Sequence, residues 1–147
     1  MAPEAGGKRV QSVLFMCAHN AVRSPMAEGI ARHYFGSSLY VASAGVRPEE
    51  LDPFAVAVME EIGIDVAGHR PQTLEDLEDG GFDLIVTLSP EAHHRALELT
   101  RTLAVEVEYW PTIDATVVHG AREQRLAAYR SVRDSLLERI RQRFACR

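Results

Sequence analysis

The residues best suited to chemistry are Cys17 and Arg23. Five residues separate them, Ala18-His19-Asn20-Ala21-Val22, and Ser24-Pro25 follow. An apolar run, Val13-Leu14-Phe15-Met16, leads into the cysteine. A loop between a strand and a helix can turn its N–H groups into one concavity, and the helix start adds positive potential, so that an anion is held there. The same field lowers a thiol from its ordinary pKa of about 8.5 and makes it a nucleophilic thiolate. A planar guanidinium at the far end of the loop suits bidentate binding of a tetrahedral oxyanion. Arg23 next to the positive end of a helix is unfavourable unless an anion offsets it. The spacing describes a cradle for phosphate or a similar oxyanion, with a nucleophile at its floor.

The elements that must hold this cradle can be read in order. Val10 to Met16 fits a strand buried on both faces, as in a parallel sheet. Ser24 reads as a helix N-cap with Pro25 at the first helical position; Met26, Ala27, Ile30, Ala31 and Tyr34 share the inward face, and Gly36 is the stop. Leu39 to Ser43 is a second strand, ended by Ala44-Gly45. Asp52-Pro53 repeats the cap-then-proline signal, opening a helix with Phe54, Ala55, Val58 and Ile62 inward and Gly63 as its stop. Phe82 to Leu88 is the third strand, and Ser89-Pro90 starts the next helix in the same way. From Ala104 to Trp110 the side chains alternate, as in a half-solvated edge strand. A last helix from about Ala121 to Phe144 carries the apolar stripe Leu126, Tyr129, Val132, Leu136, Ile140 and Phe144. Its arginines read as a solvated face. The alternation predicts an α/β three-layer sandwich, a four-stranded parallel sheet with helices on both faces. Ligands in such a fold bind at the C-terminal ends of the strands, where Cys17 falls.

Composition bounds the rest. The 147 residues suit one domain, 10–147, after a flexible leader at 1–9. A net charge of -5 argues against general nucleic-acid or acidic-membrane binding. The two cysteines, Cys17 and Cys146, make no disulfide framework and suit a reducing compartment. No run approaches the roughly 20 apolar residues of a membrane span, so the expected location is cytoplasmic; the expected state is a monomer or weak dimer.

Cys-x5-Arg-Ser between a buried strand and a helix resembles the low-molecular-weight protein tyrosine phosphatase family, whose fold is shared by thioredoxin-, glutaredoxin- and mycothiol-linked arsenate reductases. Ser43-Ala44-Gly45, Gly63-Ile64-Asp65-Val66 with His69-Arg70, and Asp114 after the fourth strand match the family's other segments. The resemblance implies a phosphomonoester hydrolase without metal or cofactor. Cys17 would attack phosphorus to give a phosphocysteine. Arg23 and the N–H groups from Ala18, His19, Asn20, Ala21 and Val22 to Arg23 would hold the equatorial oxygens. Asp114 would protonate the leaving group and then activate water. Ser24 would donate to the thiolate, and Asn20 would hold a strained turn by bonding Ser43 and His69.

Some residues point toward the reductases instead. His19 stands where the phosphatases usually carry Gly, and His19-Asn20-Ala21 is similar to some arsenate reductases. Arg23-Ser24-Pro25 is the phosphatase form. No cysteine lies between Cys17 and Cys146, and Ser89 occupies the neighbourhood where a relay cysteine of the thioredoxin-linked reductases would lie. A reductase of this kind would need an external thiol. Asp114-Ala115-Thr116 replaces the phosphatases' Asp-Pro-aromatic run. The substrate is then a phosphorylated protein, a small aryl phosphate or an inorganic oxyanion, and a third reading is a weakly catalytic oxyanion-binding module. Asp114 can also simply cap a turn. His69 reads as structural, His93-His94 as no metal pair because adjacent helical residues do not share a face, and Cys146 as a bystander thiol.

Overall fold

The computed structural model describes residues 9–47, 49–77 and 81–145; most of the expected leader, and Cys146, lie outside them. Four strands, β1 (Ser12–Cys17), β2 (Tyr40–Gly45), β3 (Leu84–Thr87) and β4 (Glu106–Tyr109), form one parallel sheet in the order β2-β1-β3-β4. Between and after them run α1 (Arg23–Phe35), α2 (Pro53–Glu60), α3 (Pro90–Leu99) and α4 (Arg122–Phe144). The chain steps from β1 outward to β2, then crosses back to β3 on the other side. Cys17 therefore sits at the point where strand order reverses, the usual ligand crevice of an open parallel sheet.

The strand period of two divides the core. Val13, Phe15 and Cys17 face one side, with Val41, Leu84 and Val86, and pack under α1, α2 and α4. Leu14 and Met16 face the other side, with Ala42, Ala44 and Ile85, and are covered by α3 through Ala92 and Ala96. Because β1 is buried on both faces its sequence shows no alternation, as expected of a central parallel strand. The three-layer expectation holds, and so does the edge position of β4. The whole expected stripe of α4 is buried.

The structure corrects several details. Val22, not Ser24, is the N-cap of α1, and it makes no side-chain cap bond. Ser24 lies inside the first turn, fully buried, because its hydroxyl is drawn to the cysteine. Tyr34 is exposed and lies under the Arg141 guanidinium. In α2 the fully buried residues are Ala55, Val58 and Met59, whereas Phe54 and Ile62 pack only partly against the core. The arginines of α4 are not simply solvated. Arg133 is buried, donating to the Val58 carbonyl and Glu61, and Arg143 bonds Glu108. The other cap signals hold: Asp52 accepts from Phe54 N and Ser89 from Ala92 N.

Two glycines are required by geometry. A Cβ on Gly45 would lie 2.8 Å from the Asn20 nitrogen and from the His19 carbonyl carbon, so only glycine lets the end of β2 touch the loop after Cys17. Gly63 has φ +79° and turns the chain after α2.

Candidate active site

Cys17 ends β1 and is buried; its Sγ lies 2.9 Å from Ser24 Oγ and accepts the Asn20 amide at 3.2 Å. Asn20 has φ +57°, the one positive φ outside glycine among the described residues, a conformation Asn tolerates better than most residues. Its side chain knits the back of the loop. Nδ2 donates to Ser24 Oγ at 2.8 Å and to Ser43 Oγ at 3.0 Å, while Oδ1 accepts the Gln72 amide at 2.9 Å. That backbone donor fixes the amide's orientation, so His69 Nε2, 3.0 Å from the same oxygen, must be the protonated nitrogen. Ser43 passes its own hydrogen to Glu28 Oε1. Ser24 already accepts from Asn20, and its hydrogen is free to point at Cys17 Sγ. The hydrogens on this side of the loop converge on sulfur, the arrangement a thiolate needs.

Other bonds hold the loop from outside. The carbonyls of Cys17 and Ala18 accept Val46 N, Ala18 also accepts Arg47 N, and Ala21 accepts Asp52 N. Asp52 caps α2 with Oδ1 and takes the Tyr129 hydroxyl on Oδ2 at 2.6 Å, tying α2 and α4 to the loop. Burial, with Asp52 beside it, raises the Tyr129 pKa, so the phenol stays a donor.

Above the sulfur is a cavity of about 390 Å³ lined by Cys17, His19, Ala21, Val22, Arg23 and Asp114, and further by Glu49 to Pro53 and Thr116. Arg23, the first residue of α1, is buried and donates to the Thr112 carbonyl at 3.0 Å, on the segment that carries Asp114. Asp114 begins a short 3-10 turn (Ala115–Val117), and its Oδ1 accepts Thr116 N at 3.0 Å and Thr116 Oγ1 at 2.6 Å. Burial pushes its pKa up, but the Thr116 bonds with Arg23 and His19 outweigh this and hold it below the ordinary aspartate value. Asp114 thus caps a turn and faces the cavity at once. His19, half-buried at the mouth, has Nε2 3.3 Å from Arg47 Nη2 and Nδ1 3.8 Å from Glu49 Oε1.

The structure thus brings Cys17, His19, Ala21, Val22, Arg23 and Asp114 to one cavity, and sets Ala18, Asn20, Ser24, Ser43 and His69 around or behind the loop. His69 is kept low by burial, against the pull of Glu28 and with Arg32 adding to it. Sequence reasoning missed Glu28, Arg47, Gln72 and Thr112. Glu28 left a faint signal, lying four residues from Ser24 and from Arg32 on the same helix; the others left none.

A parallel sheet whose central strand delivers a buried cysteine to a loop, closed by an arginine at a helix start, defines a thiol-based oxyanion enzyme. Residues 12–145 match the family described as low molecular weight phosphotyrosine protein phosphatase, and the chain belongs to that family. It is similar to the arsenate reductase of Bacillus subtilis (strain 168), 33% identical over 130 residues that cover 88% of this chain and 92% of that protein. The arsenate reductase of Halalkalibacterium halodurans is 35% identical over 130 residues, 88% and 91% of the two chains. Among solved structures, an arsenate reductase in the reduced state is 29% identical with a TM-score of 0.74, covering 92% of this chain and 97% of that one. The low molecular weight protein tyrosine phosphatase from T. tengcongensis is 27% identical with a TM-score of 0.76, covering 93% and 99%. Membership makes this an enzyme of cysteine-based phosphate and oxyanion chemistry. No described helix is long and apolar enough to cross a membrane.

Proposed function

We propose that this enzyme reduces arsenate with an external thiol, with Cys17 as the nucleophile. The observation that carries the reading is the cavity wall: none of its described lining residues is Phe, Tyr or Trp, and Glu49, Glu50 and Asp52 are among them. A tyrosyl phosphate brings a ring that gains from stacking on a Phe, Tyr or Trp side chain. Arsenate brings only its tetrahedral head, which the loop alone can hold. The sequence similarity to arsenate reductases supports the same reading.

In this mechanism the Cys17 thiolate, hydrogen-bonded by Ser24 and the Asn20 amide, attacks arsenic. Arg23 and the loop N–H groups neutralise the oxygens as charge builds. Asp114 is ionised in the free enzyme at neutral pH and gains a proton as the anionic oxygens arrive beside it. It then protonates the departing oxygen, which leaves as water. The reductant is a thiol from solution, because Cys17 is the one cysteine among the described residues and Ser89 is a buried cap of α3. Its sulfur bonds to Cys17 Sγ, the S–As electron pair passes to arsenic, and arsenite leaves as As(III). A second thiol then frees Cys17 by disulfide exchange.

The second reading, a phosphomonoester hydrolase, is favoured by Asp114 in the same cavity, since phenolate departure needs an acid there. Water would take the thiol's place in the second step. A side-by-side assay of thiol-driven arsenite release and aryl phosphate hydrolysis separates the two. We expect arsenite release to require the thiol, to vanish in Cys17→Ser and to fall about a hundredfold in Asp114→Asn. Aryl phosphate turnover with no arsenite from any thiol would hand the function to the hydrolase reading.

A further inference from the structure

His19 lines the cavity, as Asn20 and its side-chain partners do not, and the chemistry so far leaves it unused. It lines the cavity with Cys17 and Asp114, at the mouth where a thiol from solution must enter. Four groups from three other segments surround it. Arg47 Nη2 is 3.3 Å from Nε2, Glu49 Oε1 is 3.8 Å from Nδ1, and Glu91 of α3 and Asp114 both lie within its electrostatic reach. A guanidinium can only donate, so Nε2 is the unprotonated nitrogen and Nδ1–H points to Glu49. Arg47 is held in place by a two-pronged pair with Glu91. The imidazole therefore stands at the cavity mouth with its Nε2 lone pair turned to Arg47 Nη2 across 3.3 Å, a long contact that an entering thiol has to displace. The Glu49 and Asp114 carboxylates offset the Arg47 charge and receive the positive charge the ring would acquire.

We propose that His19 is a further catalytic residue, the base of the thiol half-reaction. The inference rests on the arsenate-reductase reading above. When the external thiol RSH attacks the Cys17–S–As(O)(OH)2 adduct, a bond forms between its sulfur and Cys17 Sγ. The S–As bond breaks with its electron pair going to arsenic, which is reduced from As(V) to As(III). As Arg47 Nη2 gives way, His19 Nε2 takes the thiol proton and returns it to an arsenic oxygen, so that the products are the Cys17–S–S–R disulfide and As(OH)3. Asp114 is poorly matched to this step. A carboxylate held below its ordinary range is a weak base toward a thiol, whereas imidazole exchanges protons near neutral pH.

The test compares wild type and His19→Gln with two thiols, 2-mercaptoethanol and the more acidic trifluoroethanethiol, from pH 6.5 to 9. Glutamine keeps partners for Arg47 and Glu49 but cannot take a proton. The expected result is a fall in arsenite release of about a hundredfold with 2-mercaptoethanol at pH 7. The deficit should be much smaller with trifluoroethanethiol, and should shrink as pH rises and the thiol ionises unaided. Alkylation of Cys17 by iodoacetamide should proceed at the wild-type rate, showing that the nucleophile itself is unaltered. A deficit equal for both thiols and constant with pH, or no deficit, overturns the role of His19 while leaving the reductase reading intact. A wild type that releases no arsenite with either thiol overturns that reading and the step assigned to His19 with it.

Discussion

At the scale of single residues, Asn20 carries more of the site than its position in a small polar loop suggests. It is fully buried in a left-handed turn, and its side chain serves Ser24, Ser43, His69 and the Gln72 amide together. Removing it leaves several buried polar groups without partners, each costing about 1–3 kcal/mol. Asn20→Ala should therefore lower stability by about 2–4 kcal/mol in urea unfolding and slow turnover more than it weakens oxyanion binding. The reason for the second effect is that Ser24 then loses the donor that keeps its hydroxyl aimed at sulfur. Normal turnover in a destabilised Asn20→Ala would show that the network supports the fold and not the thiolate. The Asn20 partners among the expected site residues were legible only through family resemblance, since nothing in the spacing of residues 20, 43 and 69 announces a contact.

At the scale of elements, α2 is placed by Asp52. One oxygen caps the helix and the other takes the Tyr129 hydroxyl from α4, while the Asp52 amide reaches back to the Ala21 carbonyl of the loop. Loss of an N-cap costs about 1 kcal/mol, and a buried phenol without its partner adds a comparable amount. Asp52→Ala should cost about 2 kcal/mol in denaturant unfolding, whereas Tyr129→Phe, which keeps the cap, should cost about half of that. Equal losses in the two variants would mean the cap itself contributes little. The cap was plain in the sequence because Asp52-Pro53 is a local signal. The bond to Tyr129 was not, because the two residues stand 77 positions apart.

At the scale of the whole molecule, Glu61 just beyond α2 binds both Arg130 and Arg133 of α4. Bonds from Arg130 and then Arg133 hold its pKa at about 2, well under the ordinary glutamate value. A carboxylate depressed by folding stabilises the native state above its unfolded pKa, near 4.3, and that contribution disappears as pH falls toward the folded value. Wild type should therefore lose stability more steeply than Glu61→Gln between about pH 4.5 and about pH 2, with the two curves parallel above pH 6. Thermal midpoints across that range check it, and parallel curves throughout would remove Glu61 from the acid transition.

What the sequence determined by itself was most of what local periodicity and caps set. It includes the four strands and four helices, the stripe of α4, the edge character of β4 and the placing of Cys17 at a strand end ahead of a helix. These follow from backbone and side-chain geometry within a few residues of one another. The tertiary structure alone decided which distant groups meet. It drew Ser24 out of the capping role toward sulfur, buried Glu28 and Arg133 by supplying partners from other elements, and parked Arg23 on the Thr112 carbonyl. It also brought Arg47, Glu49 and Glu91 around His19. Such contacts depend on how the helices pack across the sheet, and a polar side chain is buried only where packing delivers its partner. The cysteine proposed as nucleophile was therefore readable in the chain, and its surroundings were not.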